Sequence, residues 1–257
     1  MSTVHLTIDN GVAELRLNNP AKLNALTEAM LDALEAHCAT IDSHEDIRCV
    51  LLTAAGNRAF CVGADIHDWA RLSPRDFGRH WIRRGHRIFD RIARFHVPSI
   101  AVLSGHAFGG GLELAAACDL RILSPGATIA LPETGVGIVP GWSGTQRLAR
   151  QIPPAVLKEM ALTGRRLTAE RAFSIGFANA VADDPAAEAG TMAAGICERS
   201  PAAIETTKYL LSASLDEDRA AMTEALGGAL MAGSADKTEG VAAFSEKRKP
   251  VFAGDKT

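Results

Sequence analysis

The sequence predicts an α/β protein whose core of alternating strands and helices gives way to a helical C-terminal region. Two observations carry this. Period-two and period-3.6 apolar patterns alternate over the first half, and helical patterns dominate the second. No Pro- or Ser-rich linker and no low-complexity tract interrupts the chain, so residues 1–195 read as the core and 196–257 as a helical region of the same domain. With 257 residues, 47% of them apolar, the chain can bury a large core.

The elements follow in order. Residues 4–8 and 12–17 read as a hairpin around Asp9-Asn10-Gly11, residues that tolerate positive φ. Thr27 caps a helix to about residue 39, with Leu31, Leu34 and Cys38 at helical spacing. Residues 49–53 form a short buried strand, and 57–64 a loop. After Pro74 a long helix carries Phe77, Trp81, Gly85, Ile88, Ile92 and Phe95 on one face. Residues 99–103 are a buried strand, 105–111 a glycine-rich turn, and 112–117 a helix. Strands at 120–123 and 128–131 come next. Helices are then expected near 144–150, 155–162, 168–175, 185–198, 201–214, 216–232 and 237–247, with one strand at 179–182.

Composition excludes several functions. Twenty-seven basic residues against 30 acidic ones give a formal charge of −3, unlike a dedicated nucleic-acid binder. No run of 18 apolar residues is present, so no membrane span is expected. The first 15 residues lack the features of a secretory or transit signal. Five scattered cysteines without a CxxC speak against a disulfide framework and for a reducing cytoplasm. One Tyr and three Trp make a poor platform for stacking bases. The eight histidines give no HExxH, so no metal site is expected. Ser143 lacks the second glycine of GxSxG, Pro140 stands where GxGxxG needs glycine, and no Walker sequence occurs.

What remains is Ser104-Gly105-His106-Ala107-Phe108-Gly109-Gly110-Gly111-Leu112-Glu113, a strand end, a glycine turn and a helix start. Consecutive glycines let backbone N–H groups approach a ligand, and a helix N-terminus adds about half a positive charge. Together they can build part of an oxyanion hole. Tight helix–sheet packing explains the same glycines. Glu113 sits in the apolar run LELAAACDL, where a carboxylate needs a partner or a task. Glu133 follows twenty residues later, ahead of a second glycine turn.

Four motifs occur in order: Phe60-Cys61-Val62-Gly63-Ala64-Asp65-Ile66, the glycine turn from Gly105 to Ala115, Pro132-Glu133, and Gly137-Ile138-Val139-Pro140-Gly141-Trp142-Ser143-Gly144-Thr145-Gln146-Arg147-Leu148. With Asn19-Pro20-Ala21-Lys22-Leu23-Asn24-Ala25-Leu26 and Phe244-Ser245-Glu246-Lys247-Arg248-Lys249, the chain resembles the enoyl-CoA hydratase/isomerase (crotonase) superfamily over nearly its whole length. The resemblance implies a crotonase-like spiral of ββα units with a helical C-terminal trimerisation region, assembled as a homotrimer or a dimer of trimers. It implies an acyl-CoA substrate, with coenzyme A entering as part of that substrate and no separate cofactor. The backbone amides of Ala64 and Gly110 are implied as the oxyanion hole.

Both glutamates of the hydratase branch are matched, Glu113 and Glu133, which implies hydration of a trans-2-enoyl-CoA to a 3-hydroxyacyl-CoA. Glu113 is expected to activate water and Glu133 to supply the α-proton, with Gly141 bonding the water or Glu133 through its backbone. An enoyl-CoA isomerase, another crotonase-type enzyme and a non-catalytic CoA- or RNA-binding paralogue are the alternatives. By the same resemblance Lys22, Leu23 and Ala25 belong to the loop touching the adenine end. Ala64, Asp65 and Ile66 lie along the pantetheine path. Lys247 could reach phosphates or simply end a solvated helix. Trp142 replaces a small residue frequent in the family turn, either as an aromatic wall of the acyl pocket or as packing. Residues 71–95 hold eight arginines and two aspartates, a local +6 against −9 elsewhere. A solvated helix face, steering of anionic CoA and nucleic-acid binding all fit that stripe, and the first is the expectation.

Overall fold

The computed structural model describes residues 2–215 and 219–252. Strands β1 (Thr3–Asp9) and β2 (Val12–Asn18) pair antiparallel through a two-residue turn in which Asn10 and Gly11 both take positive φ. That geometry matches the right-handed strand twist, which is why Asn-Gly closes hairpins. Helix α1 (Glu28–Ser43) starts where the Thr27 hydroxyl accepts the Met30 amide. It buries Leu31, Leu34 and Cys38 as expected, and Ile41 carries the buried face one turn further.

Next come β3 (Cys49–Ala54), β4 (Ala59–Cys61) and the short α2 (Ile66–Trp69). β4 lies within the expected loop 57–64 and α2 where no element was expected, because three- and four-residue elements are too short to show a period. The long helix after Pro74 is interrupted. It begins as α3 (Pro74–Asp76), passes through a π-helical stretch, Phe77–Ile82, and resumes as α4 (Arg83–Ala93). The extra residue per turn rotates the Phe77 end of the stripe, leaving Phe77 half-buried while Trp81, Gly85, Ile88 and Ile92 remain in the core. Three of the eight arginines of this segment pair with acids. Arg84 reaches Asp32 and Glu35 of α1, Arg91 reaches Asp42 at 2.6 Å, and Arg94 reaches Asp90.

β5 (Ser99–Leu103), β6 (His106–Phe108), α5 (Gly110–Ala117), β7 (Leu120–Leu123) and β8 (Thr128–Ala130) complete the repeating part. Then come α6 (Gly144–Gln151), α7 (Pro154–Thr163), β9 (Leu167–Thr168), α8 (Ala169–Ser174), β10 (Ala180–Val181) and α9 (Pro185–Cys197). α10 (Pro201–Ser214), α11 (Arg219–Ala232) and α12 (Ala235–Ser245) follow. The expected helix from residue 216 has its first three positions outside the described residues. α12 starts two residues before the expected 237 because the Ser234 hydroxyl caps it at the Lys237 amide.

From β3 to β8 successive strands alternate between two sheets. The larger runs β1-β2-β3-β5-β7-β10 and the smaller β4-β6-β8-β9. Thus β3 then β4, β5 then β6, and β7 then β8 each place one strand in either sheet before a helical segment, which is the ββα spiral. All pairings among these six strands are parallel. Strand β5 is wholly buried and after Ser99 reads as an unbroken apolar run, the usual mark of a strand covered on both faces. Each buried Leu or Ile of this core contributes about 1.5–3 kcal/mol relative to exposure.

The chain divides into two compact units, one ending at Ile204 and the other beginning at Glu205. The second, considered alone, leaves Leu210, Leu211, Leu230, Met231 and Phe244 exposed. Among the described residues no helix is long and apolar enough to cross a membrane.

Candidate active site

The parallel strands β4, β6 and β8 end together at Cys61, Phe108 and Ala130, so the loops that follow emerge on one edge of the smaller sheet. Clefts in α/β proteins form at such carboxyl ends. Here a cleft of about 190 Å³ is lined by Ala64, Ile66, Gly110, Glu113, Glu133, Gly141 and Trp142, with Trp69, Phe77 and Ile82 supplying apolar walls. Seven expected site residues, from four separate stretches of sequence, therefore share one cavity.

Two backbone amides are placed by different means. Leu26 donates to Gly63 O and accepts from the Asp65 amide, each at 2.8 Å, so the amide of Ala64 between them points away from that bridge. Gly110 opens α5, and a first-turn amide has no carbonyl behind it to bond. Gly109 just before it has φ +51, and a Cβ there would lie 2.8 Å from Glu133 Oε1. Only glycine satisfies both demands, so the glycine turn serves the approach of a carboxylate and not merely helix–sheet packing.

Glu113 is 3% exposed on a helix whose every residue is buried. Its Oε1 accepts the amides of Trp142 at 2.9 Å and Gly144 at 2.8 Å. Burial pushes its pKa above the usual carboxylate range, while the Gly144, Trp142 and Gly141 amides and the Arg147 guanidinium oppose that rise. The Gly141 amide thus acts on Glu113, where the sequence reading had paired it with water or Glu133. Glu133 begins a short turn, Glu133–Val136, and is also buried. Burial, reinforced by the charge of Glu113, pushes it up to about 7. Its Oε2 has no hydrogen-bond partner among the described residues. The two carboxyls therefore differ in kind: one is held by donors that favour its charge, and the other is buried with a free oxygen.

Trp142 is both wall and packing. One edge of the indole lines the cleft, while its ring packs 5.4 Å from Trp81 and 5.2 Å from Phe89, and Nε1 donates to Trp81 O.

The expected adenine loop lies outside the cleft lining. Lys22 pairs with Asp65 at 2.6 Å. Against the upward push of burial, the Lys22 ammonium and the His67 amide hold the Asp65 carboxyl below its ordinary value. Leu23 is half-buried with φ +52, and the buried Ala25 accepts the Asn19 side-chain amide on its carbonyl. Lys247 belongs to the second unit. Sequence reasoning missed Asn24, whose buried side chain accepts the Asn19 amide and donates to Ala55 O and Ala59 O, tying this loop to β4. It also missed His86 and Ser143, 2.6 Å apart behind Glu113. A polar side chain in a turn gives no signal of its partner until the fold is known. Among the described residues no group of three or more His, Cys, Asp or Glu is placed to hold a metal ion.

The model of the family described as "Enoyl-CoA hydratase/isomerase" matches residues 7–255. YngF of Bacillus subtilis, named for the same two activities, is 39% identical over 249 residues, 95% of either chain. The short-chain-enoyl-CoA hydratase of Clostridium acetobutylicum is 32% identical over 255 residues, 97% of either chain. The crystal structure of an enoyl-CoA hydratase from Bacillus anthracis superposes with a TM-score of 0.81 at 32% identity, covering 98% of this chain and 99% of that one.

Proposed function

The chain belongs to the enoyl-CoA hydratase/isomerase, or crotonase, superfamily, and from that premise we propose that it hydrates a trans-2-enoyl-CoA to the 3-hydroxyacyl-CoA. The observation that carries this reading is the pair of unlike carboxyls, Glu113 and Glu133, facing one cleft.

Addition of water to the enoyl double bond requires an oxygen delivered to Cβ and a proton to Cα. The thioester oxygen accepts the Ala64 and Gly110 amides, which stabilise the enolate as charge develops; one such donor contributes about 3–4 kcal/mol in other enzymes. Glu113, whose charged form is favoured by amide donors, takes a proton from water as its oxygen attacks Cβ. Glu133, neutral over much of the range below pH 7, gives its proton to Cα. Transfer of the proton gained by Glu113 back to Glu133 resets the pair, and the net change is addition of one water. Trp142 and the apolar walls bound the acyl chain. Coenzyme A enters with the substrate, and no other cofactor is required.

The rest of the reading follows the family. Lys22, Leu23, Ala25, Asp65 and Ile66 line the path of the CoA moiety, and Lys247 is the family's candidate contact for CoA phosphates, those of a neighbouring subunit included. The apolar side chains exposed on the second unit meet copies of themselves in a homotrimer or a dimer of trimers. Five cysteines, four of them buried and none in a disulfide, fit a reducing cytoplasm. Pairing of Arg84, Arg91 and Arg94 with carboxylates favours a structural role for that part of the arginine stripe over nucleic-acid binding.

The test is loss of the enoyl-thioester absorbance of crotonyl-CoA, with Glu113→Gln and Glu133→Gln alongside. Hydration indifferent to both substitutions sinks the mechanism. One observation favours isomerisation on the same scaffold: Glu133 Oε2 is unpartnered and the carboxyl titrates near 7, so a single group could move a proton between Cα and Cγ. Turnover confined to a 3-enoyl-CoA would establish that reading instead.

A further inference from the structure

The turn that supplies the amide donors of Glu113 is itself gripped from behind. Ser143 is buried with φ +74 and ψ +10, a left-handed conformation that costs a serine on the order of 1 kcal/mol. Its hydroxyl lies 2.6 Å from Nδ1 of His86 on α4. One helical turn further along both helices, Arg147 of α6 pairs with Asp90 of α4. The residues on either side of Ser143 are Trp142 and Gly144, the two whose amides donate to Glu113 Oε1. Any rotation of the backbone at Ser143 re-aims both amides together.

We propose that His86, acting through Ser143, is a positioning residue that holds both amide donors on Glu113 and so favours its charged form against the push of burial. The proposal rests on Glu113 being the group that takes a proton from water. His86 touches no reacting atom. The charged and titratable groups around Glu113 are Glu133 across the cleft and Arg147 from α6, with Asp90 beyond Arg147. Loosening the turn leaves them in place while weakening the amide bonds, so the neutral form of Glu113 persists to higher pH.

The test compares His86→Leu and Ser143→Ala with His86→Asn, whose amide nitrogen takes the place of Nδ1. Difference infrared spectroscopy against pH reads the Glu113 carboxyl directly, its band identified by its loss in Glu113→Gln. Crotonyl-CoA turnover is followed over the same range. The Leu and Ala variants should titrate Glu113 at higher pH and move the acidic limb of kcat with it. Turnover at pH 7 should fall about tenfold, the equivalent of one weakened charge-assisted hydrogen bond, with KM little changed. His86→Asn should restore both readouts. Folded Leu and Ala variants with an unmoved Glu113 titration would overturn the proposal, as would a loss of kcat equal at every pH. If no form turns over crotonyl-CoA while the Glu113 titration still moves, the hydratase reading fails and the positioning role stands.

Discussion

Gly85 and Trp142 occupy a single space: a Cβ on Gly85 would lie 2.2 Å from the indole Nε1 of Trp142. The bare backbone of α4 is what lets the indole pass behind the cleft to reach Trp81 and Phe89. Gly85→Ala should therefore destabilise the fold by about 1–3 kcal/mol through overpacking. This opposes the gain of about 1 kcal/mol that alanine brings to an unconstrained helix position. Denaturant midpoints decide between the two, and a midpoint raised by the substitution would refute the steric account.

The same indole limits the cleft, so its size should set acyl preference. Trp142→Phe keeps an aromatic ring on the core side and frees space at the cleft edge. Relative to crotonyl-CoA, kcat/KM for longer 2-enoyl-CoA substrates should rise roughly ten- to a hundredfold, the range that one or two methylenes command in an apolar pocket. A substrate series of increasing chain length measures it. An unchanged profile would return Trp142 to packing alone.

How much of this was legible in the sequence depended on the range of the interactions involved. The hairpin, α1 and the fully buried β5 were readable because their signals are local: Asn10-Gly11, Thr27 and an apolar run. The cleft residues were found through the order of motifs, and the fold then explained their grouping by the common edge of β4, β6 and β8. β4 and the π-helical stretch at 77–82 left no readable trace, one being three residues long and the other a change of helical winding that preserves composition. Gly85 was read as one more residue of an apolar stripe. Its requirement for a missing side chain is set by Trp142, 57 positions away.

Glu133 should mark both activity and stability against pH. Its folded pKa is raised to about 7, by burial first and then by the charge of Glu113, while an unfolded glutamate titrates near 4.3. The folded state therefore binds the proton more tightly. The stability associated with neutral Glu133 is complete below about pH 4 and is lost as pH rises through 7. Glu133→Gln, which cannot ionise, should be more stable than the parent by about 3–4 kcal/mol at pH 8 and equal to it near pH 4. Unfolding curves at both pH values check the sign. In the parent enzyme kcat should fall above pH 7 as the proton donor is lost.

Gly110 tests the backbone donor that no side-chain replacement removes. A Cβ there would lie 2.8 Å from Cε3 of Trp142. Gly110→Val must therefore shift either the indole or the helix start carrying the amide. With the donor displaced, kcat should drop about 10²- to 10³-fold, because the bond matters most when charge develops on the thioester oxygen. KM should change far less. An equal rise in KM with unaltered kcat would mean that the amide binds substrate without serving the transition state.

Lys22 and Asp65 separate a binding role from a structural one. The 2.6 Å pair joins the turn at Pro20–Lys22 to the start of α2, beside the Ala64 amide. Asp65 is buried and titrates below its ordinary value, so the pair stabilises the fold above the unfolded carboxylate pKa and loses that contribution as pH falls through the folded one. Lys22→Met should then show a stability deficit at pH 7 that disappears in acid. If the ammonium also meets the adenine end, KM should rise for crotonyl-CoA but not for crotonyl-pantetheine, which lacks the nucleotide. An equal rise for both substrates would place the whole effect in the displaced Ala64 loop, which in the proposed binding mode meets the thioester common to the two.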